Sequence, residues 1–181
     1  PPAQLAKIVS TVDLLSKGRA ILGVGAGWHQ PEFEGYSQWD SDRVRVAKTI
    51  EGIELIRRLW TEDSVDHSGT HYTAKGAVLE PKPVTKPHPP MWLAGMQPST
   101  YRMAADRGLG MLSLSTGAPS EMAPHIAEYK ERIKNAEPFG AFVNDQWAHL
   151  AIAHCGPDRT EAQARAANAM KEFFGPDRPY T

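Results

Sequence analysis

The chain has 181 residues, of which 41% are hydrophobic and 23% charged. These proportions are typical of a globular domain and exclude a disordered, fibrous or membrane-embedded chain. Lysine and arginine total 20 against 21 for aspartate and glutamate, so the net charge of -1 offers no broad positive field to nucleic acid or an anionic membrane. We therefore expect a single domain over residues 1–181 that acts on a small molecule.

The cysteine content and the start of the chain bear on its location. The single cysteine, Cys155, allows no internal disulfide, so the cytoplasm is the expected compartment. No apolar run approaches the roughly 18 residues of a membrane-spanning helix, and Pro1 to Lys7 lack the apolar centre of a signal peptide. Because the chain begins without methionine, we expect a fragment or a processed chain.

The first elements are predicted to be a helix, a buried strand and a glycine-rich turn. Apolar residues at three- and four-residue intervals predict a helix over 3–15, and Ser16-Lys17-Gly18 is typical of a helix end. The apolar run 20–24 predicts a strand that ends in a turn. The helix stripe consists of Leu5, Ile8, Val9, Val12 and Leu15, and the glycines are Gly23, Gly25 and Gly27.

A polar, aromatic segment separates this strand from a second helix and a hairpin. The helix is predicted to start from a cap at Asp40 or Ser41. Two short segments over 64–79 predict a hairpin, and the prolines of 81–90 then exclude regular structure. The apolar face of the helix consists of Val46, Ile50, Ile53, Ile56 and Trp60.

Three more strands and two more helices are predicted in the second half. The strands cover 91–94, 109–114 and 146–153, and a helix with Pro98 at its first position and Gly108 just past its end joins the first two. A further helix carries an apolar stripe made of Met122, Ile126, Tyr129 and Ile133.

The last helix is predicted to run from Thr160 to about Phe174, before Gly175. Gln163 lies three residues after Thr160 and completes a capping box. Alternating short apolar strands and helices indicate an α/β fold with a parallel sheet. Two architectures satisfy this order, the open doubly wound sheet and the closed (β/α)₈ barrel.

The glycine-rich turn Gly23-Val24-Gly25-Ala26-Gly27 lacks the G-x-G-x-x-G spacing of a dinucleotide-binding loop. Two interpretations remain. It is a tight turn at a strand end, or its small residues open the backbone to a flat ligand beside Trp28, His29 and Glu32.

The segment Gly95-Met96-Gln97-Pro98-Ser99-Thr100 joins a strand to a helix. The amides of Ser99 and Thr100 fall in the first helical turn, where intrahelical partners are absent, and the helix dipole is positive there. The segment therefore predicts a phosphate site, with ordinary helix capping as the alternative.

The histidines do not predict a metal site. His67 and His71 are separated by a turn, which favours surface histidines of a hairpin. His149 and His154 differ by an odd number along one predicted strand and so face opposite sides. The sequence offers Cys155 no activating partner, so a buried thiol is expected.

Several motifs in order across nearly the whole chain resemble the bacterial-luciferase-like flavin-dependent monooxygenases. The motifs are Leu14-Leu15-Ser16-Lys17-Gly18-Arg19, Leu22-Gly23-Val24-Gly25-Ala26-Gly27-Trp28, Glu32-Phe33-Glu34, Ile56-Arg57-Arg58-Leu59-Trp60, Pro81-Lys82-Pro83 with Pro87-His88-Pro89-Pro90, and Trp92-Leu93-Ala94-Gly95. The resemblance implies a (β/α)₈ barrel that binds reduced flavin at the carboxyl ends of its strands and uses it to activate oxygen. Some relatives use the deazaflavin F420 for hydride transfer instead.

The resemblance also implies which residues bind the cofactor. The phosphate loop corresponds to Gly95, Met96, Gln97, Ser99 and Thr100. The loop beside the flavin corresponds to Gly25, Gly27 and Trp28. Leu114 corresponds to a strand end that lines the ring, and the stretches 108–115 and 143–145 favour FMN over F420.

The chain departs from the family pattern in two ways. Ala26 stands where several relatives have an arginine, which removes one positive contact with the cofactor. The four strands resemble the fourth to the seventh of the barrel, so we expect part of a longer enzyme, with a catalytic histidine of some members outside these residues. We therefore assign no catalytic residue.

The resemblance implies a small organic substrate, oxygen, a flavin reductase that supplies reduced FMN, and a homodimer that packs through the helix over 3–15. The alternatives are an F420-dependent hydride-transfer enzyme, a non-catalytic flavin-binding relative, and an unrelated barrel enzyme that acts on a phosphorylated metabolite.

Overall fold

The computed structural model describes residues 1–36, 39–115, 119–151 and 153–174. These residues divide into two compact units, one made of the described residues within 1–27 and 40–150 and the other of those within 28–39 and 151–174. The helices are α1 (Pro2–Ser16), α2 (Gln30–Tyr36), α3 (Asp42–Thr61), α4 (Pro98–Asp106), α5 (Pro119–Arg132) and α6 (Arg159–Phe174), with a 3₁₀ turn over Ile133–Asn135. The strands are β1 (Leu22–Val24), β2 (Val65–Ser68), β3 (Thr73–Ala77), β4 (Met91–Ala94), β5 (Gly110–Ser115) and β6 (Trp147–Ala151).

Four strands form the main sheet in the order β1-β4-β5-β6. The first three are parallel, with Gly23 opposite Trp92 and Trp92 opposite Gly110. A Cβ on Gly110 would stand only 2.5 Å from the Cδ2 atom of the Trp92 indole, so position 110 requires a glycine. The fold is therefore α/β with a parallel sheet and packed helices, as in part of a (β/α)₈ barrel.

The core of the first unit lies between this sheet and its helices. Its buried residues include Ile53, Ile56 and Trp60 of α3 together with Leu93 and Met111 of the strands. The apolar face predicted for the second helix is therefore confirmed in its C-terminal half. Val46 and Ile50, near the start of α3, are half-buried.

Helix α1 buries only part of its predicted apolar stripe, since Leu5 and Val9 are half-buried against the core. Ala6, Ser10 and Asp13 are fully buried, whereas Val12 is 48% exposed and Leu15 is 78% exposed. The predicted helix end is confirmed, because Lys17 adopts the left-handed conformation at φ 57° and the Gly18 amide donates to the Asp13 carbonyl at 2.8 Å.

The hairpin β2–β3 is antiparallel, as predicted, and Glu51 of α3 holds its turn. A carboxylate oxygen of Glu51 accepts hydrogen bonds from the Tyr72 amide at 2.8 Å and from His67 Nε2 at 3.2 Å, and the other accepts from the His71 amide at 3.0 Å. Burial by itself raises the pKa of Glu51, but the bonds from His67, Tyr72 and His71 outweigh it and lower the pKa. His67 is thus a largely buried partner of a carboxylate, which corrects the expectation of a surface histidine.

The start of the last helix also differs from the prediction. Helix α6 begins at Arg159, and the Asp158 carboxylate accepts from the Glu161 amide at 2.8 Å. An aspartate one residue before the helix is a stronger cap than the predicted Thr160, because its oxygen carries the charge that the helix dipole favours. The predicted stop at Gly175 lies outside the described residues.

Within the ranges given above, no helix has the length and hydropathy needed to span a bilayer.

Candidate functional site

The predicted site residues of the first unit lie at the carboxyl ends of adjacent parallel strands. Gly25 follows β1, Gly95 follows β4, and Leu114 is the penultimate residue of β5. In parallel α/β folds this edge of the sheet holds ligands, because the strand-to-helix loops gather there.

The loop after β1 and the loop after β4 are neighbours. A Cβ on Gly25 would stand 3.3 Å from the Ala94 carbonyl oxygen, a contact that leaves little room for any side chain. A cavity of about 40 Å³ is lined by Ala26, Ala94 and Thr100 together with residues of α3, α4 and β4, namely Val46, Thr49, Ile50, Met103 and Leu93. The structure thus brings together the two segments that the sequence predicted separately.

The loop after β4 packs closely against the first turn of α4. A Cβ on Gly95 would stand 2.8 Å from both Oγ1 and Cγ2 of Thr100, so only glycine fits this position without a shift. Pro98 is the first residue of α4, and Gln97 precedes the helix without a side-chain cap. Met96, Gln97 and Ser99 are exposed.

One of the two amides expected to be free is already bonded. The Thr100 amide donates to the Gln97 carbonyl at 2.8 Å, which closes a tight first turn, so the expectation for this amide is wrong. The Thr100 hydroxyl and the exposed Ser99 remain candidates for an anion. The predicted phosphate site therefore depends on side-chain hydroxyls more than on the backbone amides from which the sequence predicted it.

The end of β5 adjoins the same loop. The Gly95 amide donates to the Leu112 carbonyl at 3.1 Å, which fixes the loop against β5. Leu114 lies two residues beyond Leu112 and is half-buried. The two leucines share one face of the sheet, because alternate residues of a strand point the same way.

Trp28 is 64% exposed, and its ring packs edge-on against His29 at a centroid distance of 5.2 Å. It belongs to the second unit, so its assignment to the flavin wall stays a prediction. The segment 28–39 that contains it includes helix α2, which the sequence analysis missed because seven residues around a proline and a glycine carry no clear apolar period.

The stretch 143–145 lies at the amino ends of the strands, opposite to the predicted site. The Asn144 side-chain amide donates to the carbonyl of Met91, the first residue of β4, at 3.1 Å, and its backbone amide donates to the Gly108 carbonyl at 2.8 Å. These residues close the amino end of the sheet. They therefore lie away from the carboxyl ends of the strands, and the preference for FMN over F420 stays a prediction.

Cys155 is exposed, which corrects the expected buried thiol. His154 is also exposed and lies beyond β6, so the argument that placed it on a strand face with His149 does not apply. His149 Nδ1 instead contacts the Ser113 hydroxyl at 2.8 Å. No cluster of three or more metal-ligating side chains occurs in the part of the chain that the structure describes.

Arg45, a buried arginine that contacts the loop after β1, was not predicted from the sequence. Its guanidinium donates to the Asp40 carbonyl at 2.5 Å and to the Asp42 carboxylate at 2.6 Å. The sequence contained one signal for it, because Arg45 lies next to the apolar face of α3 that begins at Val46. A guanidinium buried at such a position requires several acceptors nearby.

A family model described as luciferase-like monooxygenase matches residues 1–179. The chain belongs to this family. The resemblance drawn from the motifs is thus confirmed, and so is the α/β fold of the luciferase-like barrels.

Relatives within this family use different cofactors. An F420-dependent glucose-6-phosphate dehydrogenase from Mycobacterium avium (strain 104) is 33% identical over 147 residues, 80% of this chain and 41% of the relative. An FMNH₂-dependent dimethylsulfone monooxygenase from Pseudomonas putida is 30% identical over 105 residues, 58% of this chain and 29% of the relative. The luciferase-like chain therefore spans less than half the length of these curated relatives.

The crystal structure of a monooxygenase from Streptomyces bottropensis superposes with a TM-score of 0.76 at 25% identity. The match covers 94% of this chain and 51% of that structure. The architecture of the luciferase-like family thus extends over nearly the whole of this chain.

Proposed function

We propose that this luciferase-like chain contributes the cofactor-phosphate side of a flavin-dependent monooxygenase that uses reduced FMN and oxygen on a small organic substrate. The observation that carries the proposal is the close packing of Thr100 on Gly95 in the first turn of α4, where the Thr100 side chain also lines a small cavity together with Ala26. Hydroxyl donors near a helix N-terminus favour a phosphate, and Ser99 and Thr100 supply two hydroxyls in the first turn of α4.

The residues present fit such a group. The missing side chain at Gly95 lets the Thr100 side chain approach the backbone of the loop closely, which holds the Thr100 hydroxyl at the junction of β4 and α4. Ser99 is exposed at the second position of α4, where the positive end of the helix dipole favours an anion. When bound, reduced flavin would supply the electrons that activate oxygen.

The other residues of the site would shape the cofactor pocket. Gly25 and Gly27 place no side chains beside the cofactor, and Leu114 places an apolar side chain at the end of β5. An apolar wall excludes water from a reactive cofactor. We assign Trp28, Met96 and Gln97 to the same pocket, and leave the acid or base unassigned.

F420-dependent hydride transfer is the second candidate, because the relative that shares 33% identity across 80% of the chain is F420-dependent. The two cofactors both carry a phosphate, so the loop after β4 serves either. The proposed function also includes a flavin reductase as the partner that supplies reduced FMN. The proposed location is the cytoplasm.

The first test distinguishes the cofactors in the full-length protein. We expect oxygen consumption and oxidation of an organic substrate with reduced FMN, and little turnover with reduced F420. An oxygen electrode and product analysis measure both. Efficient oxygen-independent turnover with F420 would reverse the assignment, and bound flavin without any turnover would indicate a non-catalytic relative.

The second test is Thr100→Asp, which adds a negative charge where the phosphate is proposed to lie. FMN differs from riboflavin only by its phosphate, and a charge-assisted hydrogen bond contributes about 1.5–3 kcal/mol. We expect FMN affinity to fall roughly tenfold or more, with riboflavin affinity and melting temperature nearly unchanged. Fluorescence titration measures both affinities.

The matched control is Thr160→Asp, which makes the same substitution in the first turn of α6. It should leave the affinity for FMN unchanged. Equal FMN affinity in the wild type and in Thr100→Asp would place the phosphate elsewhere.

A further inference from the structure

The segment Trp28–Trp39 leaves the first unit after Gly27 and rejoins it at Asp40. The segment has internal contacts of its own. Phe33 packs edge-on against Trp39 at a centroid distance of 5.3 Å, and Gln30 donates to the Glu34 carboxylate at 2.7 Å. The residues that flank it, Gly27 and Asp40, belong to the first unit, and their positions determine where the segment starts and returns.

Arg45 of α3 contacts both residues that flank the segment. The Arg45 guanidinium donates to the Asp40 carbonyl through Nη1 at 2.5 Å and makes a longer contact of 3.5 Å through Nη2 to the Gly27 carbonyl. Nη2 also donates to the Asp42 carboxylate at 2.6 Å. The Arg45 side chain is only 8% exposed.

A second cation holds the return point. Lys48, one turn further along α3, forms an ion pair with the Asp40 carboxylate. The backbone carbonyl and the side chain of Asp40 are therefore held by two different residues of the same helix. Gly27 has a positive φ of 76°, a backbone conformation that glycine adopts readily, and its carbonyl faces the Arg45 guanidinium.

We propose that Arg45 is a positioning residue that clamps the base of the segment 28–39 and thereby fixes the Gly25–Gly27 loop of the cofactor site. The planar guanidinium suits this task because it presents five donors in a fixed fork, whereas a lysine offers one compact charge. The part of the proposal that concerns the cofactor rests on the proposed function. The clamp itself does not.

The test is hydrogen exchange on the intact protein without cofactor. In Arg45→Met we expect amides of 28–40 to exchange about tenfold faster, which corresponds to ~1.4 kcal/mol, while amides of 53–60 in the same helix keep their wild-type rates. In Arg45→Lys the acceleration should be severalfold, because the charge remains and the fork is lost.

The matched control is Arg43→Met, since Arg43 is exposed on the same helix and the described residues offer it no hydrogen bond or ion pair. It should exchange as the wild type does. Unchanged exchange over 28–40 in both Arg45 variants would overturn the clamp. So would an acceleration that is equally large over 53–60, which would indicate general destabilisation.

A second readout connects the clamp to the cofactor. Arg45→Met should weaken FMN binding about tenfold, and Arg45→Lys should recover part of the affinity. Faster exchange with unchanged FMN affinity would overturn the link between the clamp and the Gly25–Gly27 loop. A wild-type protein that binds no FMN would instead refute the proposed function and leave the exchange result standing.

Discussion

His88 is a buried histidine whose two ring nitrogens both have partners. Nδ1 donates to the Pro89 carbonyl at 2.8 Å, and Nε2 accepts from the Ala141 amide at 3.0 Å. The ring stacks between Trp60 and Phe142, at centroid distances of 6.4 Å and 5.0 Å. Only the neutral imidazole satisfies this arrangement, because a protonated ring would direct a second N–H at the Ala141 amide.

The pKa of His88 is lowered from its ordinary value of 6.5, chiefly by burial. The Pro89 carbonyl opposes this shift, and the charge of Arg57 adds to it. The unfolded chain therefore binds a proton at a pH where the folded protein does not. Stability from this group is complete above pH 6.5 and is lost as the pH falls from there through the lowered pKa.

We predict that the free energy of unfolding decreases as the pH falls below about 6.5, and that His88→Phe reduces this slope. At pH 8 the substitution should cost about 1–2 kcal/mol, because the Ala141 amide loses its acceptor. Urea unfolding between pH 5.5 and 8 measures both effects. His154→Gln, at an exposed position, should keep the wild-type slope. An unaltered slope in His88→Phe would refute the assignment.

At the scale of elements, Asp13 ties helix α1 to the chain that leads into β4. One carboxylate oxygen accepts from the Thr85 amide at 2.8 Å, and the other accepts from the Thr85 hydroxyl at 2.9 Å and from the Ala20 amide at 3.3 Å. Asp13 is fully buried, so these donors replace its water. The edge strand β1 and the strand β4 beside it are thereby both anchored to one helix.

Asp13→Ala should lower the free energy of unfolding by about 2–4 kcal/mol, because the buried Ala20 amide and the half-buried amide and hydroxyl of Thr85 lose their acceptor. Urea denaturation at pH 7 measures the change. Thr11→Ala is the control, since Thr11 is an exposed residue of the same helix whose hydroxyl bonds only to the Lys7 carbonyl. A loss no larger in Asp13→Ala than in Thr11→Ala would contradict this role.

At the scale of the whole molecule, the exposed apolar residues of α1 offer a surface through which two copies of the chain can associate. Ile8 is 52% exposed and, with Val12 and Leu15, forms an apolar face that the first unit leaves uncovered. Exposed apolar faces of this kind favour association. The resemblance noted in the sequence places the corresponding helix between subunits.

We predict that the full-length protein is a homodimer and that Val12→Asp shifts it toward the monomer. Ala3→Asp, on another exposed part of α1, should leave the dimer intact. Sedimentation at micromolar concentration tests both variants. A monomeric wild type would refute the prediction, and a dimer that tolerates Val12→Asp would place the interface elsewhere.

Most elements could be predicted from the sequence because their signals are local. The end of α1 at Lys17 and Gly18, Pro98 at the start of α4, and the strand 91–94 all follow from residues adjacent in the chain. Helix α2 and the Asp158 cap were missed, because a short helix without periodicity and a choice between neighbouring caps depend on small energy differences.

By itself the sequence determined the family, the order of strands and helices, and the two loops proposed to hold the cofactor, because each is encoded by contiguous residues. Only the tertiary structure decided which face of α1 is buried, that Ala26 and Thr100 line one cavity, and that Asn144 lies at the opposite edge. It also revealed Arg45 at the base of the segment 28–39 and His88 between two rings. These facts depend on contacts between residues far apart in the chain, and no local period or motif encodes which distant partner a side chain meets.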